Sequence, residues 1–281
     1  MKIFKMIFCF ALAMMLGISC SPKKEAKEAS NVLVLYYSLT SNTKTVAQEI
    51  ATCLNADMEE ITLVEPYDTA FQATIERCMK EREQGILPEI KPLTKDIAKY
   101  DTIFIGYPIW FGTYAPPMAA FLDKVDLSGK VIVPFCTFGS GGLESSFKDL
   151  AEKQPNVAII LPGYGVRAAR MDAVPKEVDV FLKSLGFIKG GFFMPAEFPE
   201  QHPVNADEEA IFNAAVDGYP MLNAKAVSVA SRTLQDDGTE YLFTAKDMPR
   251  EDKPDMPPAS EIKVYVLVEK GKAPVFTKVI R

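Results

Sequence analysis

Histidine is almost absent from this chain: 281 residues hold one, His202. A His-rich metal centre is excluded by that count, and a His-based triad would have to use a residue flanked by proline in a polar stretch. The simpler expectation for His202 is an exposed loop side chain. Cysteine is sparse as well, with Cys9, Cys20, Cys53, Cys78 and Cys136, and no two of them stand at metal-ligand or C-x-x-C spacing. A Cys53–Cys78 disulfide and two separately buried thiols both stay open. Positive charge is in deficit, the net charge being −6. That argues against nucleic acid as a partner, since phosphates need Lys and Arg to neutralise them, and it suits docking to a basic partner. No internal repeat or coiled-coil heptad is present. The G-x-x-x-x-G-K-[ST] pattern is missing, which speaks against nucleoside triphosphate hydrolysis. The one long apolar run, Ile7 to Leu16, falls well short of the roughly 20 residues that cross a bilayer as a helix.

That run belongs instead to an export signal. Lys2 and Lys5 make a positive start, the apolar run follows, and mostly small residues lead into Cys20. Leu16-Gly17-Ile18-Ser19-Cys20 resembles a bacterial lipoprotein box, with Gly17 where a bulky residue is usual. By that resemblance residues 1–20 are the signal, Cys20 is lipidated, and the protein sits at the cell envelope on a lipid anchor in the membrane, periplasmic or surface-exposed. An ordinary cleaved signal is the plainer alternative. Residues 21–31 read as a polar, Lys/Glu-rich tether.

Apolar runs over Val32–Tyr37, Thr102–Tyr107, Val131–Cys136 and Val157–Leu161 do not alternate with polar residues. Continuous runs of this kind are strands buried on both faces, as in a parallel sheet covered by helices. Met58–Val64 is a weaker strand suited to an edge. Helical stretches fall between them, over Thr43–Leu54, Asp68–Gln84, Ala115–Lys124, Leu143–Lys153 and Pro175–Leu185. The alternation predicts an α/β unit over 32–190, a five-stranded doubly wound parallel sheet. Residues 191–223 read as a linker with one helix over Ala206–Val216. Residues 224–281 read as two β-hairpins, too small to stand alone and so expected to pack on the main unit as a small antiparallel sheet.

The chemistry is expected at the C-terminal strand ends. After the first strand, Ser38-Leu39-Thr40-Ser41-Asn42-Thr43 opens a helix. Free N–H groups and the dipole of a helix N-terminus hold a phosphate well, and Ser38, Thr40, Ser41, Asn42 and Thr43 can add neutral donors. A helix cap is the competing explanation, but one cap needs one such residue. After the third strand comes Pro108-Ile109-Trp110-Phe111-Gly112, an aromatic segment able to stack on a flat ring. After the fourth comes Thr137-Phe138-Gly139-Ser140-Gly141-Gly142, whose glycines let backbone approach a ligand. Together they imply a planar, phosphorylated ligand.

These segments resemble the flavodoxin family. Ser38 to Thr43 looks like its phosphate loop, with serine where glycine is usual. Pro108 to Gly112, followed by Phe121-Leu122, and Val131 to Gly142 look like its two flavin loops. The resemblance covers about Val32 to Leu185. It implies the sheet order 2-1-3-4-5 and FMN as cofactor. Ser38, Thr40, Ser41, Asn42 and Thr43 would take its phosphate. Pro108, Ile109, Trp110, Phe111, Gly112, Thr137, Phe138, Gly139 and Gly142 would frame the ring. The function it implies is electron transfer, with redox proteins or a membrane electron donor as partners. An FMN-dependent reductase of quinones or similar acceptors is the alternative, as is a non-redox binding protein on the same scaffold. No purpose for the unusually long Asp68–Gly85 stretch is apparent from sequence.

Overall fold

The computed structural model describes residues 31–159, 163–219, 221–234, 238–249 and 261–281. The expected signal, Cys20 and the tether up to residue 30 lie outside them.

The apolar runs form a parallel sheet. Strands β1 (Val32–Tyr36), β2 (Asp57–Glu60), β3 (Thr102–Trp110), β5 (Val131–Phe138), β6 (Ala158–Ile159) and β7 (Tyr164–Arg167) all run in one direction. A two-residue strand β4 (Thr113–Tyr114) folds back antiparallel on the end of β3. The order is β2-β1-β3-β5, with β6 and β7 both pairing with β5. This is the 2-1-3-4-5 order, with the fifth place shared by two short strands. The weaker run does sit at the edge. Of the expected fifth strand over Val157–Leu161, Ala158–Ile159 is seen as β6; residues 160–162 lie outside the described ones, and β7 pairs with β5 from Tyr164.

Alternation within each buried run sends neighbouring side chains to opposite faces. Leu33, Leu35 and Tyr37 join a core completed by α2 (Phe71–Gln84), α3 (Pro116–Lys124) and α4 (Leu143–Lys153), through Cys78, Phe121 and Phe147 among others. Val34 and Tyr36 join a second core under α1 (Asn42–Leu54) and α5 (Val174–Ser184), through Val46, Ile50, Val178 and Leu182. Each fully buried Val, Leu, Ile or Phe here contributes about 1.5–3 kcal/mol. Helix α3 starts on Pro116, where a missing N–H costs nothing. Helix α2 ends at Gly85, which takes the left-handed conformation at φ 64°. Cys53 and Cys78 are free thiols, so the disulfide left open by the sequence does not form.

The remainder of the chain builds a second sheet. Strands β8 (His202–Pro203), β9 (Ala224–Thr233), β10 (Gly238–Asp247), β11 (Ile262–Glu269) and β12 (Val275–Ile280) lie antiparallel in the order β12-β11-β10-β9-β8. Ile262, Val264 and Val266 face a core with Phe243, Phe276 and Phe212, the last from α6 (Ala206–Val216). A reciprocal capping box between Asn205 and Glu208 starts α6. The segment read as a linker with one helix supplies that helix, α6, and an edge strand, β8. His202 lies exposed on that short strand, and its Nε2 stands 3.5 Å from Glu208 Oε1.

Candidate functional site

Three segments meet at the C-terminal end of the parallel sheet. The first leaves β1 after Tyr36 and enters α1 at Asn42. Ser41 stands at the N-cap position in a left-handed conformation, φ 66°, and makes no side-chain cap hydrogen bond. None of the Ser/Thr/Asn cluster is therefore spent as that cap. Thr40 and Ser41 are exposed. The Ser38 hydroxyl oxygen is buried and has no hydrogen-bond partner. A buried orphan hydroxyl costs about 1–3 kcal/mol, which a ligand bond would recover. Thr43 turns the other way: it is 1% exposed, and its Oγ1 lies 2.8 Å from Thr137 Oγ1. That bond ties the first segment to the end of β5.

The second segment is a hairpin rather than an open loop. β3 runs on through Pro108, Ile109 and Trp110, and Trp110 pairs with Thr113. The two residues between them, Phe111 at φ 52° and Gly112 at φ 85°, both have positive φ, as a type I′ turn requires. Gly112 suits this; a bulky aromatic does not, and strain of that kind collects at functional sites. Phe111 is half exposed, and the Arg82 guanidinium stands 5.2 Å from its ring centroid. Trp110 meets Tyr37 and Tyr67 edge to face, with centroids 6.0 and 5.3 Å away. The Thr113 hydroxyl is a second buried polar atom without a partner.

The third segment is glycine-rich. Thr137 and Phe138 are still part of β5 and are buried, Phe138 within the core. In the ligand-free chain Thr137 braces Thr43, and Phe138 packs in the core. Gly139 is exposed, and Gly142, φ 96°, starts α4. A Cβ on Gly142 would stand 2.8 Å from Ile109 Cγ2, and Ser145 Oγ donates to Gly112 O at 2.7 Å. The second and third segments are thereby locked together, as the first and third are through the two threonines.

The family model described as Flavodoxin matches residues 31–172. The chain belongs to the flavodoxin family. A curated relative, an NAD(P)H dehydrogenase (quinone) from Azorhizobium caulinodans, is 27% identical over 150 residues, 48% of this chain and 70% of its own. Among solved structures, a flavoprotein from Bacteroides eggerthii is 28% identical, covering 56% of this chain and 98% of that one, with TM-score 0.48. A flavoprotein in complex with FMN from Lactobacillus acidophilus is 26% identical, covering 53% and 98%, with TM-score 0.44.

Residues outside the three motifs pack behind Trp110. Tyr67 follows β2 and is 5% exposed; its hydroxyl donates to Glu81 of α2. Arg77 lies 4.2 Å over the Tyr67 ring, and its Nε donates to Glu81 Oε1 at 2.9 Å. Arg77 Nη1 also donates to the carbonyls of Glu65 and Pro66. Burial above all, then the Glu81 bond, pushes the Tyr67 phenol well above its ordinary value near 10. The long second crossover therefore builds a wall behind Trp110. An Arg-x-x-x-Glu spacing on a helix was the available signal, but it reads first as an ordinary surface pair.

Proposed function

We propose that this chain is an FMN-binding electron-transfer flavodoxin. The observation that carries this is the Ser38 hydroxyl, buried without a partner beside a helix N-terminus that lacks a side-chain cap. Backbone N–H groups at the start of α1, with Ser38, Thr40, Ser41 and Asn42, would hold the phosphate. Trp110, Phe111 and the backbone of 139–142 would frame the ring, and Thr113 offers a hydroxyl in want of a partner. FMN supplies reversible electron exchange when bound. The chain's own part is to bind, to orient and, through Trp110 and its tyrosine neighbours, to keep water from one side.

The test compares FMN with riboflavin, which lacks the phosphate. Titration of the ligand-free protein by flavin fluorescence quenching is expected to show FMN binding far more tightly. Each hydrogen bond to a charged phosphate adds about 1.5–3 kcal/mol. Equal affinities would remove the phosphate site.

The relative named as an NAD(P)H dehydrogenase (quinone) supports a second reading, an FMN-dependent reductase of quinones or similar acceptors. NAD(P)H-driven turnover separates it from the carrier. Export as a lipoprotein through Cys20, and redox proteins or a membrane donor as partners, complete the proposal. Reduced nicotinamides are not expected to be plentiful outside the cytoplasm, which favours the carrier.

A further inference from the structure

The C-terminal sheet touches the α/β layer at the third segment of the site. Val279 N–H donates to Ser140 O at 2.7 Å, and Gly141 pairs with Val279 in a parallel bridge. No side chain fits between them: a Cβ on Gly141 would stand 2.2 Å from the Val279 carbonyl oxygen. Arg167, at the end of β7 and 6% exposed, joins the two sheets from behind. Its Nε donates to Gly139 O at 2.8 Å, its Nη1 donates to Phe276 O at 2.6 Å, and its guanidinium lies 3.4 Å from the Phe276 ring centroid. Burial lowers this guanidinium to about 10, so it stays charged at neutral pH. On the rim, Lys278 pairs with Glu144 at 3.0 Å.

Gly139, Ser140 and Gly141 are thus held, one after another, by β12 or by an arginine bonded to it. Such a glycine-rich run is conformationally permissive when free, and closing it round a ligand would cost backbone entropy. We propose that β12 and Arg167 fix the conformation of the 139–142 segment, so that the C-terminal sheet is a positioning part of the flavin site. This rests on the FMN reading above. Preorganisation of this kind raises affinity without adding a contact to the ligand. Because the segment borders the ring and not the phosphate, its loss should weaken FMN and riboflavin by the same factor.

The test uses full-length variants. Gly141→Ala forces the segment and β12 apart. Val279→Pro deletes the N–H that bonds Ser140, on a strand at the end of the sheet order where proline is best tolerated, and also trims a side chain buried in the second core. Arg167→Lys keeps the charge but cannot span both carbonyls, and it serves if the proline variant fails to fold. Ligand-free melting checks the fold of each. Loss of one or two hydrogen bonds predicts Kd values for FMN and riboflavin that both rise by about 5- to 50-fold, with their ratio kept. The shape of the visible flavin band should change as well. Folded variants that bind both ligands within about twofold of the parent, with the parent's spectrum, overturn the inference. A parent that binds no flavin overturns the FMN reading itself, and this inference with it.

Discussion

Ser38 gives the sharpest prediction at the scale of a residue, because stability and binding should move in opposite directions. Its hydroxyl is buried and unpartnered in the ligand-free protein. Ser38→Ala removes a desolvated polar atom, so the ligand-free melting temperature should hold or rise, the relief being about 1 kcal/mol or more. FMN affinity should fall by about 1.5–3 kcal/mol, as for any bond to a charged phosphate. Calorimetric melts and fluorescence titrations on the same protein check both signs. A drop in melting temperature with unchanged FMN affinity would make Ser38 a structural residue. Thr43 contrasts with it. In sequence the two are equivalent hydroxyls of one loop, yet Thr43 faces inward to Thr137. A left-handed turn at Ser41 separates the two, and a turn of that kind at a non-glycine residue leaves no mark in a motif. That these three segments lie together at the strand ends could be read from the sequence. The division of labour inside them could not.

At the scale of elements, α2 holds the wall behind Trp110 in place through Glu81. Its buried face presents Thr74, Cys78 and Glu81, and Glu81 is held by Arg77 and the Tyr67 hydroxyl. Arg77→Met keeps the stem but leaves the carboxylate without its cation. For a pair this far out of water the loss should be about 1–3 kcal/mol, less than for a fully buried pair because Arg77 is a quarter exposed. Urea unfolding measures it. Trp110 is the only tryptophan, so intrinsic fluorescence reports on this wall alone. Its emission should shift to the red in the variant, as Tyr67 loosens and water reaches the indole. An unshifted emission would mean that α2 does not support Trp110. The strands and helices themselves were legible because each apolar run had one possible environment: Val32–Tyr37 buried on both faces, Ala206–Val216 on one. The second sheet was only half legible. Its four long strands alternate, whereas the short strand at His202–Pro203 carries no periodic pattern and exists only by pairing with β9.

For the whole molecule, alkaline pH is the expected point of failure. Burial, its largest cause in each case, raises Tyr36, Tyr37, Tyr67 and Tyr164 well above 10, and Tyr100 up to about 12. In the unfolded chain these phenols ionise near 10. A phenol whose folded value is raised contributes stability that is fully present below pH 10 and is lost as pH climbs from there towards the folded value. Melting temperatures should be flat from pH 7 to about 9 and fall steeply above about 10. Absorbance near 295 nm should show these tyrosines ionising together with unfolding and not before it. Non-cooperative ionisation of all ten tyrosines near pH 10 in folded protein would refute this. The anchor is tested at the same scale: Cys20→Ser should move the protein from the membrane fraction to the soluble one. A parent already soluble, with no lipid by mass, would end the lipoprotein reading.

The bridge between Gly141 and Val279 also orders events in time. The two residues lie far apart along the chain; the neighbouring Lys278–Glu144 pair alone spans 134 positions. Chains are made from the N-terminus at about 5–20 residues per second, and contacts so remote in sequence form late. The parallel sheet and its phosphate-facing turn can therefore be complete for many seconds while the ring-facing turn is still unbraced. If β12 braces the site as proposed, a chain clipped anywhere between the two sheets would carry every recognisable cofactor motif and still hold the cofactor more weakly. A protease that trims β12 would then loosen the prosthetic group without touching the domain that carries it.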